Sequence, residues 1–352
     1  MTAAVKIHPV IITIPEAEVP SVSNPVPVSI IDLIDTHLLH STLKAQSLRL
    51  FLNRDMVMRQ LRTPDDNRPL DLYHHTISFR EANIITQVVT RQSLQAAIPW
   101  ADLVVSAGGD GTFLTAAAAV ADKTPVIGIN TDPVGSEGHL CIGGKNPPHD
   151  LFQRIAEGKF QFANRNRIRV TVLNKKQEAK NDCILALNEV FVGEDEAAKV
   201  STYSISIDDQ PMVKQKSSGL IVSTGTGSTS WYYGMNRVEE QTVSAILEAM
   251  QNMGVEVKAN VRGLAEEIAK KMNDKIAFEP DHPNFAYSIR EPIFNATFKC
   301  TSVRGFARRI RLKSKCSKGF LVLDGATKIP FNSGTEVLLE IFEADALRTI
   351  KL

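Results

Sequence analysis

The sequence predicts an α/β amino-terminal domain with a parallel sheet, followed by a β-rich carboxy-terminal domain. Three observations carry that reading. An apolar, β-branched run at 103–107 stops at Gly108-Gly109-Asp110-Gly111, and an alanine-rich, helix-favouring run at 113–121 takes over at once. A second apolar run at 125–130 completes a strand–helix–strand unit, whose right-handed crossover gives a parallel sheet with ligand groups at the strands' carboxyl ends. From Arg167 onward the apolar period changes to two, and short runs alternate with turn residues as in an antiparallel domain.

Taken in order, residues 10–14 form one β-like run, and 15–27 form a Pro/Ser/Val stretch without a period. Helical spacing through Ile30, Leu33, Ile34, Leu38, Leu48, Leu50 and Met58 predicts one or two helices over 29–61. A polar loop at 62–69, a strand at 84–89 and a helix at 93–100 lead into the central strand. Past the second strand, a glycine-rich loop at 133–140 and a helix at 150–157 close the first domain. Strands are expected at 167–173, 183–192, 201–207 and 220–223. A helical insertion over 235–273 is marked by Val243, Ile246, Leu247, Met250, Val261, Leu264, Ile268 and Met272. Strands resume at 285–289, 296–303, 309–313, 320–323 and 337–342. The expected domains are therefore 1–160, 161–335 with the insertion at about 235–275, and a terminal segment, 336–352, returning toward the first.

Composition narrows the function. Forty Lys and Arg against 39 Asp and Glu leave a net charge of +1, so nothing draws the whole chain to nucleic acid or an anionic membrane. No apolar run approaches the roughly 20 residues of a membrane-spanning helix. Cys141, Cys183, Cys300 and Cys316 show no C-x-x-C spacing, which fits a reducing compartment without a zinc site or disulfide framework. His74, His75 and His139 have no metal-ligand partner at a recognisable spacing. Residues 1–20 carry one Lys, two Glu and no Arg, and read as neither a secretory signal nor an Arg-rich transit peptide.

Four stretches could carry chemistry. Gly108, Gly109 and Gly111 allow positive φ and close backbone approach, and Thr112 stands where the N-cap of the following helix is expected. A helix N-terminus with its positive dipole end suits a phosphate. Asp110 is the one acid in that corner: it holds a metal, takes a proton from an attacking hydroxyl, or merely forms the turn. In the second stretch, Thr224-Gly225-Thr226-Gly227-Ser228-Thr229, hydroxyls and glycines alternate between a strand and an aromatic run. It fits ribose and phosphate oxygens, or is a simple turn; no Lys follows to make a P-loop, and it completes no Rossmann fingerprint. The third, Asn188-Glu189, lies within an apolar strand, where neighbours face opposite sides and at least one meets a pocket or an internal partner. The fourth is an acid-free basic run at 299–318. There Arg309, Arg311, Lys313 and Lys315 share one strand face, which is either a solvated surface or a phosphate-facing wall.

In this order the motifs Gly108-Gly109-Asp110-Gly111-Thr112, Asn130-Thr131-Asp132, Asn188-Glu189 and Thr224 to Thr229 resemble those of the NAD kinase family. Its mitochondrial-type branch is the nearer match, through Asn130-Thr131-Asp132-Pro133, Ser136-Glu137-Gly138-His139-Leu140, Lys214-Gln215-Lys216-Ser217-Ser218-Gly219-Leu220, Ser288-Ile289-Arg290-Glu291-Pro292-Ile293 and Leu347-Arg348-Thr349. The resemblance implies ATP-dependent phosphorylation of the adenosine ribose 2′-hydroxyl of NAD to NADP, with a divalent cation, usually Mg²⁺, in a homodimer. It implies Asp110 as general base, and Asn188, Glu189, Thr226, Thr229, Ser230, Asn130 and His139 as dinucleotide contacts. Gly108, Gly109, Gly111, Thr112, Gly225 and Gly227 would line the phosphates. It names no residue as a metal ligand. The branch implies a mitochondrial location, with the cytosol as the alternative. Ser218 stands where many members carry an acid, and Trp231 where they often carry Tyr. A lipid kinase of the diacylglycerol type shares Gly-Gly-Asp-Gly, and a dinucleotide sensor without turnover would share the binding motifs.

Overall fold

Consecutive β-branched runs buried on both faces favour parallel strands, and the amino-terminal part of the chain is built from them. The computed structural model describes residues 10–14, 86–131, 133–173, 184–257, 260–298 and 302–352. The helices expected at 29–61, the loop at 62–69, His74, His75, Asp132, Cys183, Lys299 and Cys300 lie outside the described residues. The chain divides into two units, one ending at Phe162 and taking back Arg348–Leu352, the other Ala163–Leu347.

In the first unit β1 (Val10–Ile14), β2 (Thr86–Thr90), α1 (Arg91–Ala97), β3 (Leu103–Ala107), α2 (Asp110–Ala119) and β4 (Val126–Ile129) form a sheet of order β2-β1-β3-β4. All its pairings are parallel, with Val10 opposite both Thr86 and Leu103, and Ala107 opposite Ile129. The short run at 10–14, unremarkable in sequence, is therefore an inner strand. The helix expected at 93–100 covers Arg91–Ala97 and tightens into one 3₁₀ turn at Ile98–Trp100, where Pro99 supplies no N–H. α3 (Leu151–Ala156) and β5 (Gln161–Arg165) follow. Thr349 Oγ1 donates to the Val126 carbonyl at 2.8 Å and ties the chain's last residues to β4.

The second unit contains two six-stranded antiparallel sheets. One has the order β10-β9-β14-β17-β6-β7, from β6 (Ile168–Val172), β7 (Ile184–Ala186), β9 (Ser201–Ile207), β10 (Val213–Ser217), β14 (Arg309–Ser314) and β17 (Glu336–Ile341). The other has the order β13-β12-β11-β8-β15-β16, from β8 (Glu189–Glu194), β11 (Gly219–Ser223), β12 (Phe285–Arg290), β13 (Arg304–Ala307), β15 (Gly319–Leu323) and β16 (Thr327–Pro330). Inward residues of both sheets, among them Val170, Ile205, Leu312 and Leu339 from one and Val190, Val222, Phe285 and Leu321 from the other, form a single core. Each buried aliphatic side chain there stabilises by roughly 1.5–3 kcal/mol. The helices α4 (Trp231–Asn236), α5 (Glu240–Asn252) and α6 (Val261–Asn273) form the insertion, with Tyr232 and Met235 of α4 against Ile221 and Ala286 on the second sheet's outer face. β18 (Leu347–Lys351) pairs with β5.

Several sequence expectations need correction. The helix after the glycine turn begins at Asp110 with Gly109 as N-cap, so Thr112 is not the cap. An acid in the first turn complements the helix dipole, and that term outweighs the weak helix propensity of Gly111. The strand expected over 183–192 is two strands, because the chain leaves one sheet and enters the other at Leu187-Asn188. No strand covers 296–298, where Asn295 Oδ1 accepts the N–H groups of Thr297 and Phe298; the strand begins at Arg304. The insertion opens at Trp231 and breaks into three helices, the last break containing Gly254 at φ +83. β5, β10, β16 and β18 had no usable signal: β5 is largely exposed, and β16 ends in Pro330 at a sheet edge.

Candidate active site

In the first unit the site is made by the turn between β3 and α2 and by the loop after β4, which leave adjacent parallel strands at the same edge. Gly108 has φ +155, and a Cβ there would stand 2.5 Å from Thr112 Oγ1. A Cβ on Gly109 would stand 2.6 Å from Ser136 Oγ, so the loop presses directly on the turn. Gly111 is different, since a Cβ there would meet nothing within 4 Å.

The half-buried Asp110 carboxylate accepts two consecutive backbone N–H groups of that loop, Leu140 on Oδ1 at 2.8 Å and His139 on Oδ2 at 3.1 Å. A carboxylate offers about four acceptor positions, so two remain for a further partner while the rotamer is held. Asn130 is buried, and its Nδ2 donates to the Ser136 carbonyl at 2.9 Å. Gly138, at φ +64, lets the loop pass where a Cβ would stand 2.6 Å from that nitrogen. Asp110, Asn130 and His139 are thus brought together. Asn130 shapes the loop, and the exposed His139 contributes its backbone N–H. Beneath them Cys141 is buried, and burial together with the Asp110 charge pushes its thiol up to about 12. It is an inert packing group at neutral pH.

In the second unit the site forms where the chain crosses between sheets. The Asp324 carboxylate accepts the N–H groups of Leu187 and Asn188, both at 2.8 Å, and of Glu189 at 3.1 Å. Thr224 closes the other side, its N–H on the Asn188 carbonyl at 2.9 Å and its Oγ1 on that of Leu187. A Cβ on Gly227 would stand 2.2 Å from the Asn188 carbonyl oxygen, and one on Gly225 1.8 Å from that of Glu279. Both glycines therefore have a packing reason to be glycine. Thr226 is buried with Arg165 Nη1 at 3.4 Å, whereas Thr229 and Ser230 are exposed on the turn that follows.

Asn188 and Glu189 are 6% and 8% exposed, and among the described residues Asn188 Oδ1 and Glu189 Oε2 have no hydrogen-bond partner. Buried polar atoms left unpaired cost free energy, which a ligand in contact with them would restore. Burial first and the Asp324 charge second push the Glu189 carboxyl up to about 7.

Two features escaped the sequence reading. Asp324 is one; the Asp324-Gly325 pair between two apolar runs is a hairpin signal, but nothing local says which backbone its side chain grips. The other is a column in which Arg290 Nε donates to Ser218 Oγ at 2.8 Å, the guanidinium lies 5.1 Å from the Phe191 ring, and Phe191 stacks on the exposed Trp231 at 4.7 Å. It joins Ser218 to Trp231. The basic run, by contrast, is a solvated face. Arg309 pairs with Glu340 at 2.8 Å and Asp209 at 3.2 Å, and Arg311 with Glu336 at 2.9 Å.

Residues 39–160 match the ATP-NAD kinase N-terminal domain, and residues 187–250 the ATP-NAD kinase C-terminal domain. The chain is 35% identical over 317 residues to NAD kinase 2, mitochondrial, of Rattus norvegicus, covering 79% of this chain and 75% of the rat protein. It is 36% identical to the Homo sapiens protein of the same name, covering 79% of this chain and 72% of that one. The fold is similar to that of yeast NADH kinase complexed with NADH, with a TM-score of 0.60 at 16% identity over 99% of this chain and 84% of that chain. It is also similar to an NAD kinase from Archaeoglobus fulgidus in complex with ATP, with a TM-score of 0.54 at 19% identity over 81% of this chain and 90% of that chain.

Proposed function

We propose, from the premise that this chain belongs to the NAD kinase family, a division of labour in which the first unit supplies the base and the second holds the dinucleotide. The chain is an NAD kinase, which transfers a phosphoryl group from ATP to the adenosine ribose 2′-hydroxyl of NAD and yields NADP. Membership of this family sets aside the lipid-kinase and sensor alternatives.

Asp110 takes the proton of the 2′-hydroxyl as its oxygen attacks the γ-phosphorus and the bond to ADP breaks. The observation that carries this assignment is the pair of backbone N–H groups fixing the carboxylate at the amino end of α2. Phosphoryl transfer asks chiefly for positioning and charge stabilisation, with one group to receive a proton. Gly108, Gly109, Gly111 and Thr112 lie where triphosphate oxygens meet the α2 N-terminus, and Gly111 leaves open space. Asn188 and Glu189 bind the dinucleotide through their unpaired oxygens, with Thr226, Thr229 and Ser230 on the adenosine side and Asn130 and His139 shaping the loop over the base. Gly225 and Gly227 act by bringing the backbone of that turn close.

The divalent cation enters with ATP as part of the substrate. Among the described residues no three His, Cys, Asp or Glu gather into a ligand set. We further read the protein as mitochondrial, supported by its likeness to the rat and human mitochondrial proteins, and as a homodimer, which rests on the motif resemblance alone. No helix among the described residues is long and apolar enough to cross a membrane.

Purified protein with NAD, ATP and magnesium is expected to form NADP, and to leave a long-chain lipid alcohol unphosphorylated. Phosphorylation of the lipid alone would overturn the assignment. Sedimentation velocity tests the dimer, and a fluorescent full-length fusion tests the location.

A further inference from the structure

Asp324 and Gly325 are the two central residues of the hairpin turn joining β15 to β16, closed by the Ala326 N–H on the Leu323 carbonyl at 2.9 Å. Both have positive φ, +49 and +70, as the central residues of a type I′ turn require, and the Leu323–Thr327 register makes the connection three residues long. Gly or Asn would serve such a turn as well as Asp does. The turn therefore does not explain the carboxylate.

Its surroundings do. Three consecutive N–H groups, those of Leu187, Asn188 and Glu189, converge on its two oxygens at 2.8–3.1 Å, and the Asp324 N–H returns to the Glu189 carbonyl at 3.0 Å. At this point the chain passes from one sheet to the other, and no ladder can take all three donors. With Thr224 on the carbonyls of Leu187 and Asn188, the peptide is fastened on both sides. The atoms left over are Asn188 Oδ1 and Glu189 Oε2, buried and unpartnered among the described residues.

We propose that Asp324 is a positioning residue for NAD: its carboxylate fixes the Leu187–Glu189 backbone so that the side-chain oxygens of Asn188 and Glu189 meet the dinucleotide already aligned. This rests on the reading of those two residues as dinucleotide contacts. Asp324 itself touches no substrate. Burial first, and the neighbouring Asp324 charge second, favour the neutral form of the Glu189 carboxyl.

The test is steady-state kinetics of the full chain for Asp324→Asn, Asp324→Gly, the pair Asn188→Ala/Glu189→Gln, and that pair combined with Asp324→Asn. Asn keeps the turn but sets an amide N–H₂ against one of the three donors. The expected result is a rise of about tenfold or more in KM for NAD, with KM for ATP within about twofold and kcat within about threefold. Added to the Asn188/Glu189 pair, Asp324→Asn is expected to have less than about twofold further effect, because both act through the same contacts. Should Asp324→Asn not fold, Asp324→Gly, unstrained at this φ, carries the same comparison. A folded Asp324 variant with unchanged KM for NAD overturns the inference, as does a uniform loss in kcat and both KM values alongside melting temperature. If the Asn188→Ala/Glu189→Gln pair itself leaves KM for NAD unchanged, the dinucleotide reading fails first and takes the inference with it.

Discussion

The glycine turn of the first unit and the strand crossover of the second use the same device, a carboxylate that accepts consecutive backbone N–H groups, to opposite ends. In the turn, the acid that is held is the one proposed as base: Asp110 is fixed by His139 and Leu140 and keeps acceptor positions free. At the crossover, the acid that holds is separate from the groups proposed to bind the dinucleotide. Asp324 takes three N–H groups so that Asn188 and Glu189 need not turn inward to satisfy them. A proton acceptor must be oriented yet reachable, whereas a binding edge must be rigid and unsatisfied until the ligand arrives. The two regions divide those demands.

Asp110→Asn tests the first region most severely. The amide keeps the size of the side chain and one acceptor oxygen, but it cannot take a proton from the 2′-hydroxyl. Turnover is expected to fall by about 10²–10⁴, the usual worth of a positioned base. NAD binding by calorimetry should stay within a few-fold, and melting temperature should change little. Near-normal turnover with unchanged binding would remove Asp110 from the base role and erase the contrast.

Glu189→Gln tests the second region through its pH dependence. The carboxyl is raised in the folded protein from 4.5 to about 7, so between those values the folded state keeps a proton that the unfolded chain has lost. Stability of the unaltered protein therefore falls as pH rises through that window, by about 1.4 kcal/mol per unit and roughly 3 kcal/mol in all. Gln has no charge to bury. The difference in melting temperature between Glu189→Gln and the unaltered protein should grow in favour of the variant from pH 4.5 to 7 and then level off. A flat difference would mean that Glu189 is already ionised in the fold.

Legibility in the sequence follows the same division. The parallel sheet and the Asp110 corner were readable because their residues are contiguous: a β-branched run, three glycines in four positions and an alanine-rich helix. Even there the cap was misplaced, because no local rule places Asp110 on the loop N–H groups some thirty residues away. Asn188-Glu189 was noticed as a polar interruption of an apolar run, but that run was read as continuous. The break at Leu187-Asn188 depends on Asp324 and Thr224, at |i−j| of 137 and 37 from Leu187, and periodicity carries no such information. Over its described part, 296–298, the strand expected at 296–303 is absent for a local reason, the Asn295 side chain competing for backbone N–H groups. The basic run read correctly as a solvated face only once Glu336, Glu340 and Asp209 were seen opposite it.

The glycines sharpen the comparison further, since identical residues serve different ends in the two regions. Gly225 has a carbonyl oxygen where its Cβ would be, at 1.8 Å and belonging to backbone that has no side-chain freedom to yield. Gly225→Ala is expected to cost about 1–3 kcal/mol or more of stability, seen as a lowered denaturant midpoint, with NAD affinity lost in step. A midpoint unchanged from that of the unaltered protein would mean that the Glu279 backbone moves aside freely, and that the close packing is not a constraint.

Gly111→Ala should have the smallest effect on stability and, for that reason, the clearest meaning. The position is in the first turn of α2, lacks a positive φ, and offers an added Cβ nothing within 4 Å. Replacing glycine by alanine in a helix is expected to stabilise by about 0.5–1 kcal/mol, through a lower entropy of the unfolded chain and better helix propensity. The fold alone therefore gives no reason for glycine here. If the space is where the triphosphate approaches the helix N-terminus, the variant will melt slightly higher while its KM for ATP rises several-fold and its KM for NAD stays put. An unchanged KM for ATP in a more stable variant would show that the phosphates lie elsewhere, and that Gly108 and Gly109, both pressed by neighbours, are glycine only for the turn.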